Sequence, residues 1–530
     1  MASLTIRNIS LTPLELTQVE RFGAEAIEDT RGVTEHVWNL VCLPYNYIMG
    51  RNGHPASGSG GTGLAPKHGA QATTTDQIGN VQIAPFSTTQ TQVKAPQAGS
   101  EVLRLTFKAT FDNGANVRLY TVDVPSASSR SNELRPVGGD APPAGSAAAS
   151  AAFSAVYSAN GGATLAVLSS AALSRWMGTV DGAWPLSSLS LPGTHNSPAC
   201  HYALPSVRCQ AVGVRAQLDN GVRFLDVRVS VNPPKQPHAD PRIALVHSVF
   251  PVGLLGSHHF GELYDAVCGF LDANPSETVL ISIKKEGTGK GSDADLAHQL
   301  VNHYTGGPAD VGQARPQGLA AARQPGQAEP WRWYTESRIP SLDEVRGRIV
   351  LVRRFHTPDE DVFKQMHGGA GWGLDGSSWP DNCEDGTCGS GPIRLQDFYE
   401  VMQTPAIDTK IKYVHGLLAK SGLETYTKLG GLQARSQENA PPVPPLFINF
   451  LTASNFFNAR CWPENVAARV NPSVVEYLCV RHGEAGADGQ NGKAGDCSTG
   501  ILVTDWVGHH GDWDLLRCIV AWNARLQLKN

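Results

Sequence analysis

The chain has 530 residues, with 43 Lys and Arg against 48 Asp and Glu and a formal net charge of -5. This length exceeds what one hydrophobic core usually serves, so we expect two domains. A negative net charge without a run of basic residues argues against nucleic acid as the partner.

The N-terminal third, residues 1–170, predicts a β-rich accessory domain. Apolar residues recur at a spacing near two around residues 4–9, 14–19, 103–107 and 117–122, which is typical of half-buried strands. Asn160-Gly161 between two apolar runs predicts a hairpin. A small β-sandwich is the expected architecture, with lipid or carbohydrate binding and a purely structural role as open alternatives.

Two stretches of this part have a low-complexity composition. Residues 49–100 are rich in Gly, Thr and Gln, and residues 125–151 are rich in Ser, Ala and Pro. Such compositions bury little apolar surface. We therefore predict long mobile loops at both places.

Residues 171–530 predict an α/β domain. Strands near residues 187, 224, 244, 280, 350, 448 and 502 alternate with helical segments, such as the one over Phe260–Ala273. This alternation is typical of a parallel sheet with crossover helices. With polar residues at the ends of several strands, it favours a barrel whose active residues gather on one face.

Three of these strands end on residues that suit one kind of chemistry. The first strand runs into Pro192-Gly193 and delivers His195, the second presents Asp226 and Arg228 on one face, and the third ends on His247. One imidazole can remove a proton and the other can supply one, while the guanidinium holds charge that develops on phosphorus. The pattern indicates general acid-base cleavage of a phosphodiester.

The same strands carry a family resemblance. The succession GTHNS (193–197), RFLDVR (223–228), LVH (245–247) and NPSETVLISIKKE (274–286) resembles the catalytic region of phosphatidylinositol-specific phospholipase C of the bacterial, metal-independent type. The resemblance continues through GRIVLVRR (347–354), WPDN (379–382), QDFY (396–399), LFINF (446–450) and LVTDW (502–506), and covers residues 174–530. It implies a distorted (βα)8 barrel.

The resemblance implies a role for each reacting group. His195 is the base that takes the proton from the inositol 2-hydroxyl, and Asp505 orients its ring. His247 is the acid for the leaving glycerol oxygen, and Arg228, with Asp226 beside it, binds the phosphate. The products would be diacylglycerol and inositol 1,2-cyclic phosphate, and the partner would be a membrane surface containing phosphatidylinositol.

A second set of residues is implied for the sugar. Lys284, Arg354, Asp397 and Tyr399 would line the inositol pocket, with solvated surface groups as the alternative. A carboxylate at Asp397 would repel a phosphate on the ring. Unphosphorylated phosphatidylinositol, or the similar core of a glycosylphosphatidylinositol anchor, is therefore the expected substrate.

No metal cofactor is expected. The calcium-dependent relatives place carboxylates where this chain has Arg228 and Lys284, and a divalent cation is disfavoured between two positive charges. Asn196 departs from the metal-free pattern, which has Asp there. We expect this change to remove a partner of His247.

Two apolar segments follow strand ends. Residues 248–255 come directly after His247, and residues 455–457 include two phenylalanines. These segments either enter a lipid interface or cover the top of the barrel. The residues alone favour neither.

The sequence also bears on the cellular compartment of the protein. No apolar run reaches the roughly 18–20 residues needed to span a bilayer, and the N-terminal residues lack a signal-peptide core. We expect a cytoplasmic or peripheral membrane protein, with non-classical secretion as an alternative.

Three cysteine pairs have spacings that suit either loop disulfides or free thiols, and none suits a zinc site: Cys200 with Cys209, Cys383 with Cys388, and Cys479 with Cys497.

Two other functions fit parts of the pattern. A non-catalytic phosphoinositide-binding or scaffold protein would have a damaged catalytic set, and Asn196 is the one sign of damage. A phosphodiesterase of the same fold acting on another lipid would need acidic metal ligands after the first histidine. Arg228 argues against that reading.

Overall fold

The structure is a computed structural model in which the chain forms two compact units. It describes residues 2–27, 63–125, 131–138, 146–160, 162–170, 172–233, 242–307, 310, 329–389, 391–430, 442–484 and 495–529. The first unit comprises Met1–Ala171, Val475–Arg481 and His510–Leu528, and the second comprises Ala172–Val474, His482–His509 and Lys529–Asn530.

The first unit contains two sheets. Their hydrogen-bonded orders are β5-β1-β11-β10-β8 and β3-β2-β6-β7-β9, with β4 also paired to β2. The strands are β1 Ser3–Ile9, β2 Leu14–Ile27, β3 Gly63–Pro66, β4 Thr74–Ile83, β5 Ser87–Lys94, β6 Glu101–Phe111, β7 Asn116–Val124, β8 Asn132–Glu133, β9 Arg135–Val137, β10 Phe153–Ser158 and β11 Thr164–Ser169.

Alternating apolar residues of both sheets form one hydrophobic cluster. Leu4 and Ile6 of β1 meet Leu16, Leu105 and Phe107 in it, all with no exposed surface. The period-two strands were predicted, and the hairpin at Asn160 joins the antiparallel strands β10 and β11. The side chains of one face of each sheet therefore build the core of this unit.

The predicted loop at residues 49–100 is wrong for its described part. Residues 63–66, 74–83 and 87–94 are strands β3 to β5, and Ile83 and Val93 enter the core. Threonine is β-branched and suits a pleated surface, so a Thr-rich stretch with few apolar residues still forms strands beside a longer neighbour. Strands β8 and β9 likewise lie inside the second predicted loop, whereas residues 49–62, 126–130 and 139–145 of the two stretches lie outside the described residues.

The first unit also includes helical segments from the far C-terminus, which its sequence pattern did not signal. The guanidinium of Arg7 lies 5.4 Å from the ring centre of Trp522 and donates to the carbonyl of Cys479. Sγ of Cys479 lies 3.7 Å from Sγ of Cys518, so its neighbour is not the predicted Cys497. Every cysteine that the structure describes is a free thiol, and Cys42 lies outside the described residues.

The second unit is built on one large sheet. Its hydrogen-bonded order is β17-β18-β16-β13-β12-β23-β22-β21-β20, and the neighbours from β17 to β21 are parallel. The strands are β12 Leu191–Thr194, β13 Phe224–Ser230, β14 Ala244–His247, β15 Phe250–Pro251, β16 Val279–Lys285, β17 Trp333–Tyr334, β18 Ile349–Arg354, β19 Leu374–Asp375, β20 Gly386–Thr387, β21 Ile393–Gln396, β22 Leu446–Phe450 and β23 Ile501–Thr504.

Strands β12, β18, β22 and β23 of this sheet are buried along their whole length, as expected when both faces of a parallel sheet are covered. The α-helices that the structure describes are α1 Ala147–Ser150 in the first unit and α2 Val214–Asp219, α3 Phe260–Ala273, α4 Asp293–Leu300, α5 Leu342–Val345, α6 Asp361–Lys364, α7 Pro405–Leu423 and α8 Pro463–Val480 along the second, followed by α9 Asp514–Trp522. Helix α3 has the predicted bounds. The last residues of α8 and all of α9 belong to the first unit. Among these described helices none is long and apolar enough to cross a membrane.

Two details of the predicted strand pattern are wrong. The first strand is Leu191–Thr194, because residues 186–188 form a 3-10 turn. The strand that carries His247 is not a parallel member of the sheet, because β14 pairs antiparallel with β13 and β15. A run of four apolar residues shows no direction, so the sequence could not distinguish a returning hairpin from a new parallel strand.

Candidate active site

The predicted base, His195, projects from a pair of parallel strands. Strand β12 pairs with β23, and the backbone N–H of His195 donates to the carbonyl of Thr504 at 2.9 Å. A side chain at Gly193 would place its Cβ 3.1 Å from Cβ of Phe224, so glycine lets β12 lie close to β13. This packing fixes the backbone from which the His195 ring projects.

The ring of His195 is held by a carboxylate. Its Nδ1 donates to Oδ1 of Asp505 at 2.9 Å, and Nε2 lies 4.0 Å from Oδ2 of Asp226. Burial raises the pKa of Asp505, while the neighbouring His195 opposes the rise. Because Nδ1 carries the hydrogen bond, Nε2 is the nitrogen left to accept a proton.

The predicted acid, His247, lies on the antiparallel pair of strands β13 and β14. The antiparallel register pairs Val229 with Leu245, which returns His247 to the level of Asp226 and Arg228. Its Nδ1 donates to the carbonyl of Val207 at 2.8 Å, and its ring centre lies 5.4 Å from that of His195. Burial lowers the pKa of His247 to about 3, and the positive charges around it add to the effect.

A buried carboxylate and a glutamate hold Arg228 between them. Nε of Arg228 donates to Oδ2 of Asp226 at 3.1 Å, and Nη1 donates to Oε1 of Glu286 at 2.8 Å. Burial alone would raise the pKa of Asp226, but Arg228 and Arg354 hold it well below its usual range. Among the described residues, Nη2 of Arg228 has no hydrogen-bond partner. The guanidinium is therefore fixed with one donor group available to a ligand.

Three cations lie in one row across adjacent strands. Arg228 of β13 is in register with Lys284 of β16, and Lys284 is in register with Arg354 of β18. Glu286 accepts from Arg228 and from Lys284, whose Nζ lies 2.7 Å from Oε1. Burial would raise the pKa of Glu286, and the two cations lower it to about 2. Three positive charges thus lie next to one another, and each is paired with a carboxylate.

Arg354 connects this row to the predicted sugar side. Its Nη1 donates to Asp226 at 3.2 Å, its Nη2 lies 4.0 Å from Asp397, and its guanidinium stacks 3.7 Å from the ring centre of Trp379. Nε1 of Trp379 in turn donates to Asp397 at 2.9 Å. Arg354 and Asp397 are buried, so they are not the solvated charges of the alternative reading. Tyr399 lies at the rim, where 37% of it is exposed and its hydroxyl donates to Asp381.

Asn196, which was expected to deprive His247 of a carboxylate partner, contacts the backbone beside that histidine. Its Nδ2 donates to the carbonyl of Val246 at 3.0 Å, so it holds the backbone before His247. Its buried Oδ1 has no hydrogen-bond partner among the described residues. The residue has φ of 34°, in the left-handed region that asparagine tolerates. The ring of His247 is oriented by Val207, a backbone group that no motif could reveal.

Sequence reasoning missed several groups that shape the site. Glu286 is the last residue of the motif at residues 274–286. Its spacing of two from Lys284, which puts both on one strand face, was the available signal. Lys410 gave no signal, because it is an ordinary lysine position on helix α7. Its buried Nζ donates to Oε1 of Gln396 at 2.9 Å and to the carbonyl of Phe398 at 2.7 Å, and burial lowers its pKa to about 7.

The capacity for metal binding is confined to one cluster in the described part of the chain. His195, Cys209 and His247 each offer one ligand atom, and these atoms lie within 4.8 Å of one another. The carboxylates of the site are instead paired with Arg228, Lys284 and Arg354. The site therefore offers nitrogen and sulfur to a metal rather than a cage of oxygens.

Comparisons with known proteins show what the chain is similar to. No family model matches the sequence. A 1-phosphatidylinositol phosphodiesterase of Staphylococcus aureus (strain Newman) is 25% identical over 344 residues, which are 63% of this chain and 88% of that protein. A protein of the same name from Listeria monocytogenes serovar 1/2a is 25% identical over 236 residues, 43% of this chain and 62% of its own.

A crystal structure of phosphatidylinositol-specific phospholipase C from Staphylococcus aureus aligns with a TM-score of 0.46 and 21% identity, covering 66% of this chain and 97% of that one. The curated relatives are phosphodiesterases by name. These two curated relatives confirm the resemblance predicted from the sequence: the chain is similar to bacterial 1-phosphatidylinositol phosphodiesterases.

Proposed function

We propose that the protein is a metal-independent phospholipase C that cleaves phosphatidylinositol to diacylglycerol and inositol 1,2-cyclic phosphate. The observation that carries this proposal is the pair His195 and His247, with ring centres 5.4 Å apart, beside the fixed guanidinium of Arg228. A base, an acid and a phosphate-binding cation meet at one place. The curated relatives are named for the same activity.

In the first step, Nε2 of His195 takes the proton from the inositol 2-hydroxyl. The oxygen attacks phosphorus and the bond to the glycerol oxygen breaks, so the proton deficit at the leaving oxygen must be met at once. Asp505 stabilises the imidazolium that forms, because its carboxylate accepts the hydrogen bond from Nδ1. His195 thus works as the base with a carboxylate behind it.

His247 supplies the proton to the leaving oxygen. With a pKa of about 3 it is neutral in the free protein at neutral pH. A phosphodiester anion beside the ring favours its protonated form, as any nearby negative charge does. Substrate binding therefore favours the protonated, charged form of His247. Because Nδ1 donates to the carbonyl of Val207, Nε2 is the nitrogen left to donate to the leaving oxygen.

Arg228 binds the non-bridging phosphate oxygens, and Asp226 sets its orientation. The carboxylate of Asp226 touches Arg228, Arg354 and the backbone N–H of Asn196, so it is a positioning residue. Lys284, Arg354, Asp397 and Tyr399 bind the ring hydroxyls. A phosphate on the ring would meet Asp397 and be repelled, which favours unphosphorylated inositol.

A calcium ion has no role in this scheme. Arg228 and Lys284 stand where the calcium-dependent relatives place carboxylates, and Arg354 is in register beside Lys284. The guanidinium takes over the stabilisation of phosphorane charge that a metal supplies elsewhere. The expected cofactor requirement is therefore none.

The rim of the site is suited to a lipid surface. Several large apolar side chains are exposed there, and the rings of Phe250 and Phe456 stack 5.5 Å apart between the two segments. The exposed residues are Val249, Leu254, Leu255, Met402, Phe456 and Phe457, and Phe457 is 94% exposed. Side chains that covered the sheet would be buried, so this exposure favours insertion at a membrane interface.

The parallel sheet of the second unit is proposed to be a distorted barrel. Its first strand β12 lies beside its last strand β23, as closure requires, and the reacting groups lie at the strand ends on one side. The first unit is proposed to be a β-sandwich accessory domain, because residues of its two sheets share one core.

The proposal is tested on vesicles in excess chelator. We expect diacylglycerol release from phosphatidylinositol, much slower diacylglycerol release from phosphatidylcholine and phosphatidylinositol 4-phosphate, and much slower ceramide release from sphingomyelin. Binding to phosphoinositide vesicles without product would support the scaffold alternative. Faster release from another lipid would assign the same site to a different headgroup.

A further inference from the structure

A thiol lies against the acid of the proposed reaction. Cys209 is fully buried, and its Sγ lies 3.6 Å from Nδ1 of His247 and 3.4 Å from the carbonyl oxygen of Val207. Because Nδ1 of His247 donates to the Val207 carbonyl, this contact places the thiol beside the ring while Nε2 stays available to a metal.

A third ligand completes the set. One nitrogen from each of His195 and His247 and the sulfur of Cys209 lie within 4.8 Å of one another. The ring of His195 donates through Nδ1 to a carboxylate, and the ring of His247 donates through Nδ1 to a carbonyl. Metal-binding histidines have these same outer partners, which fix the ring and leave the second nitrogen for the metal.

The donor atoms of the cluster determine which kind of metal it can bind. Imidazole and thiolate are ligands that zinc prefers, whereas calcium requires oxygen. The cluster therefore differs in chemistry from the calcium site that the cation row excludes.

We propose that His195, Cys209 and His247 bind a thiophilic divalent cation of the Zn²⁺ type, and that this binding inhibits the enzyme. Three protein ligands leave the fourth position of the metal to water or to a substrate oxygen. Binding converts the Cys209 thiol to a thiolate and releases one proton to solvent. The inhibition, though not the binding, rests on the proposed function, because the metal occupies both acid-base histidines.

Cobalt(II) is the direct probe, because its thiolate charge-transfer absorption reports a cobalt–sulfur bond without any assay of activity. The full-length protein and its Cys209→Ser and Cys209→Ala variants are titrated, with Cys268→Ser as the matched control. Cys268 is also a buried thiol, on helix α3, and lies outside the cluster. Thermal unfolding shows whether each variant is folded, and two replacements keep the test usable if one of them is not.

The expected result is a thiolate–cobalt band in the wild type and in Cys268→Ser, and its loss in both Cys209 variants. Zn²⁺ should then inhibit phosphatidylinositol cleavage by the wild type, with an inhibition constant more than about 10-fold weaker in folded Cys209 variants. Equal cobalt bands in the wild type and in the Cys209 variants, or no band in the wild type, would overturn the proposal. A Cys209-dependent band in a protein that cleaves no phosphatidylinositol would keep the metal site and reject the proposed function.

Discussion

The two halves of the candidate site are built differently. His195 comes from a parallel strand of the sheet and is backed by the carboxylate of Asp505. His247 comes from an antiparallel hairpin and is backed by the carbonyl of Val207. A carboxylate orients a ring and also stabilises its positive charge, whereas a carbonyl mainly orients it. In the proposed mechanism this difference suits His195 to the base and leaves His247 to gain its proton beside a bound anion.

The two halves also differ in how much charge the fold buries. The base side places a buried carboxylate next to an imidazole, and burial raises the pKa of Asp505. The acid side buries a neutral ring next to a thiol, so its polar groups are satisfied without a fixed charge. In the proposed mechanism His247 becomes charged when the substrate binds. A bound phosphate analogue should therefore raise the pKa of His247.

Removing either imidazole has the largest expected effect. His195→Ala and His247→Ala should each lower turnover on phosphatidylinositol by about 10²–10⁴-fold, because each supplies general acid-base catalysis. The losses should be far from additive in the double variant, since the two groups act in one step. Steady-state kinetics of all three variants checks this, with unfolding curves as the control. A double variant with near-wild-type cleavage would reject the mechanism.

Neutralising Asp505, the partner of His195, has the next largest expected effect on turnover. Asp505→Asn keeps the shape but removes the charge that stabilises the His195 imidazolium, so turnover should fall by roughly two to four orders of magnitude with little change in KM. Asp219→Asn removes a carboxylate from an exposed pair with Arg215 and serves as the control, which should keep full activity. Equal activity of the two variants would show that Asp505 is not the partner of the base.

Replacing Asn196 by Asp tests the departure from the metal-free pattern. Both residues tolerate φ of 34°, so the change mainly removes the donor to the Val246 carbonyl and places a buried negative charge against it. We expect lower stability, by about 1–3 kcal/mol, and lower turnover with an unchanged pH profile. A rate that rises, with the acid limb of the profile moved to higher pH, would show that residue 196 acts on His247 directly.

The smallest expected effect on turnover is that of Lys410→Met, which instead changes the pH dependence of stability. The folded pKa of Lys410 is about 7, below its unfolded value near 10.4, so between these values the unfolded chain binds the extra proton. Stability of the wild type relative to Lys410→Met should rise with pH across this window, by at most about 1.4 kcal/mol per pH unit, and should be flat below pH 7.

The control for that measurement is Lys420→Met, on the same helix but paired with Asp385 at the surface. Urea unfolding at several pH values gives the three free energies of unfolding. A relative stability of the wild type and Lys410→Met that does not vary with pH would mean that Lys410 is charged in the fold. Its two hydrogen bonds, to Gln396 and to Phe398, match the two N–H groups of a neutral amine.

Much of the site could be predicted from the sequence because strand ends have recognisable patterns. His195 follows an apolar run and a Pro-Gly turn, and Asp226 and Arg228 share a face through the period of two. These patterns are local, and the parallel sheet brings them together once its strand order is known. Helix α3 was predictable for the same reason, since its apolar spacing is strong.

The remaining features depend on contacts between segments that are distant in the sequence. The direction of β14 is set by pairing with β13, not by its four residues. Val207 acts through its carbonyl, which every residue has, and Lys410 acquires its properties only from burial. The strands within residues 63–94 formed because β2 and β1 offered them hydrogen-bonding edges. Such features require a structure.

The most direct test of the central claim is to follow the phosphorus products by ³¹P nuclear magnetic resonance during turnover of phosphatidylinositol vesicles in excess chelator. Two histidines beside a fixed guanidinium predict that the five-membered cyclic phosphate of inositol appears first, without any added metal. Inositol 1-phosphate as the first product, or cleavage that begins only when calcium is restored, would contradict the account.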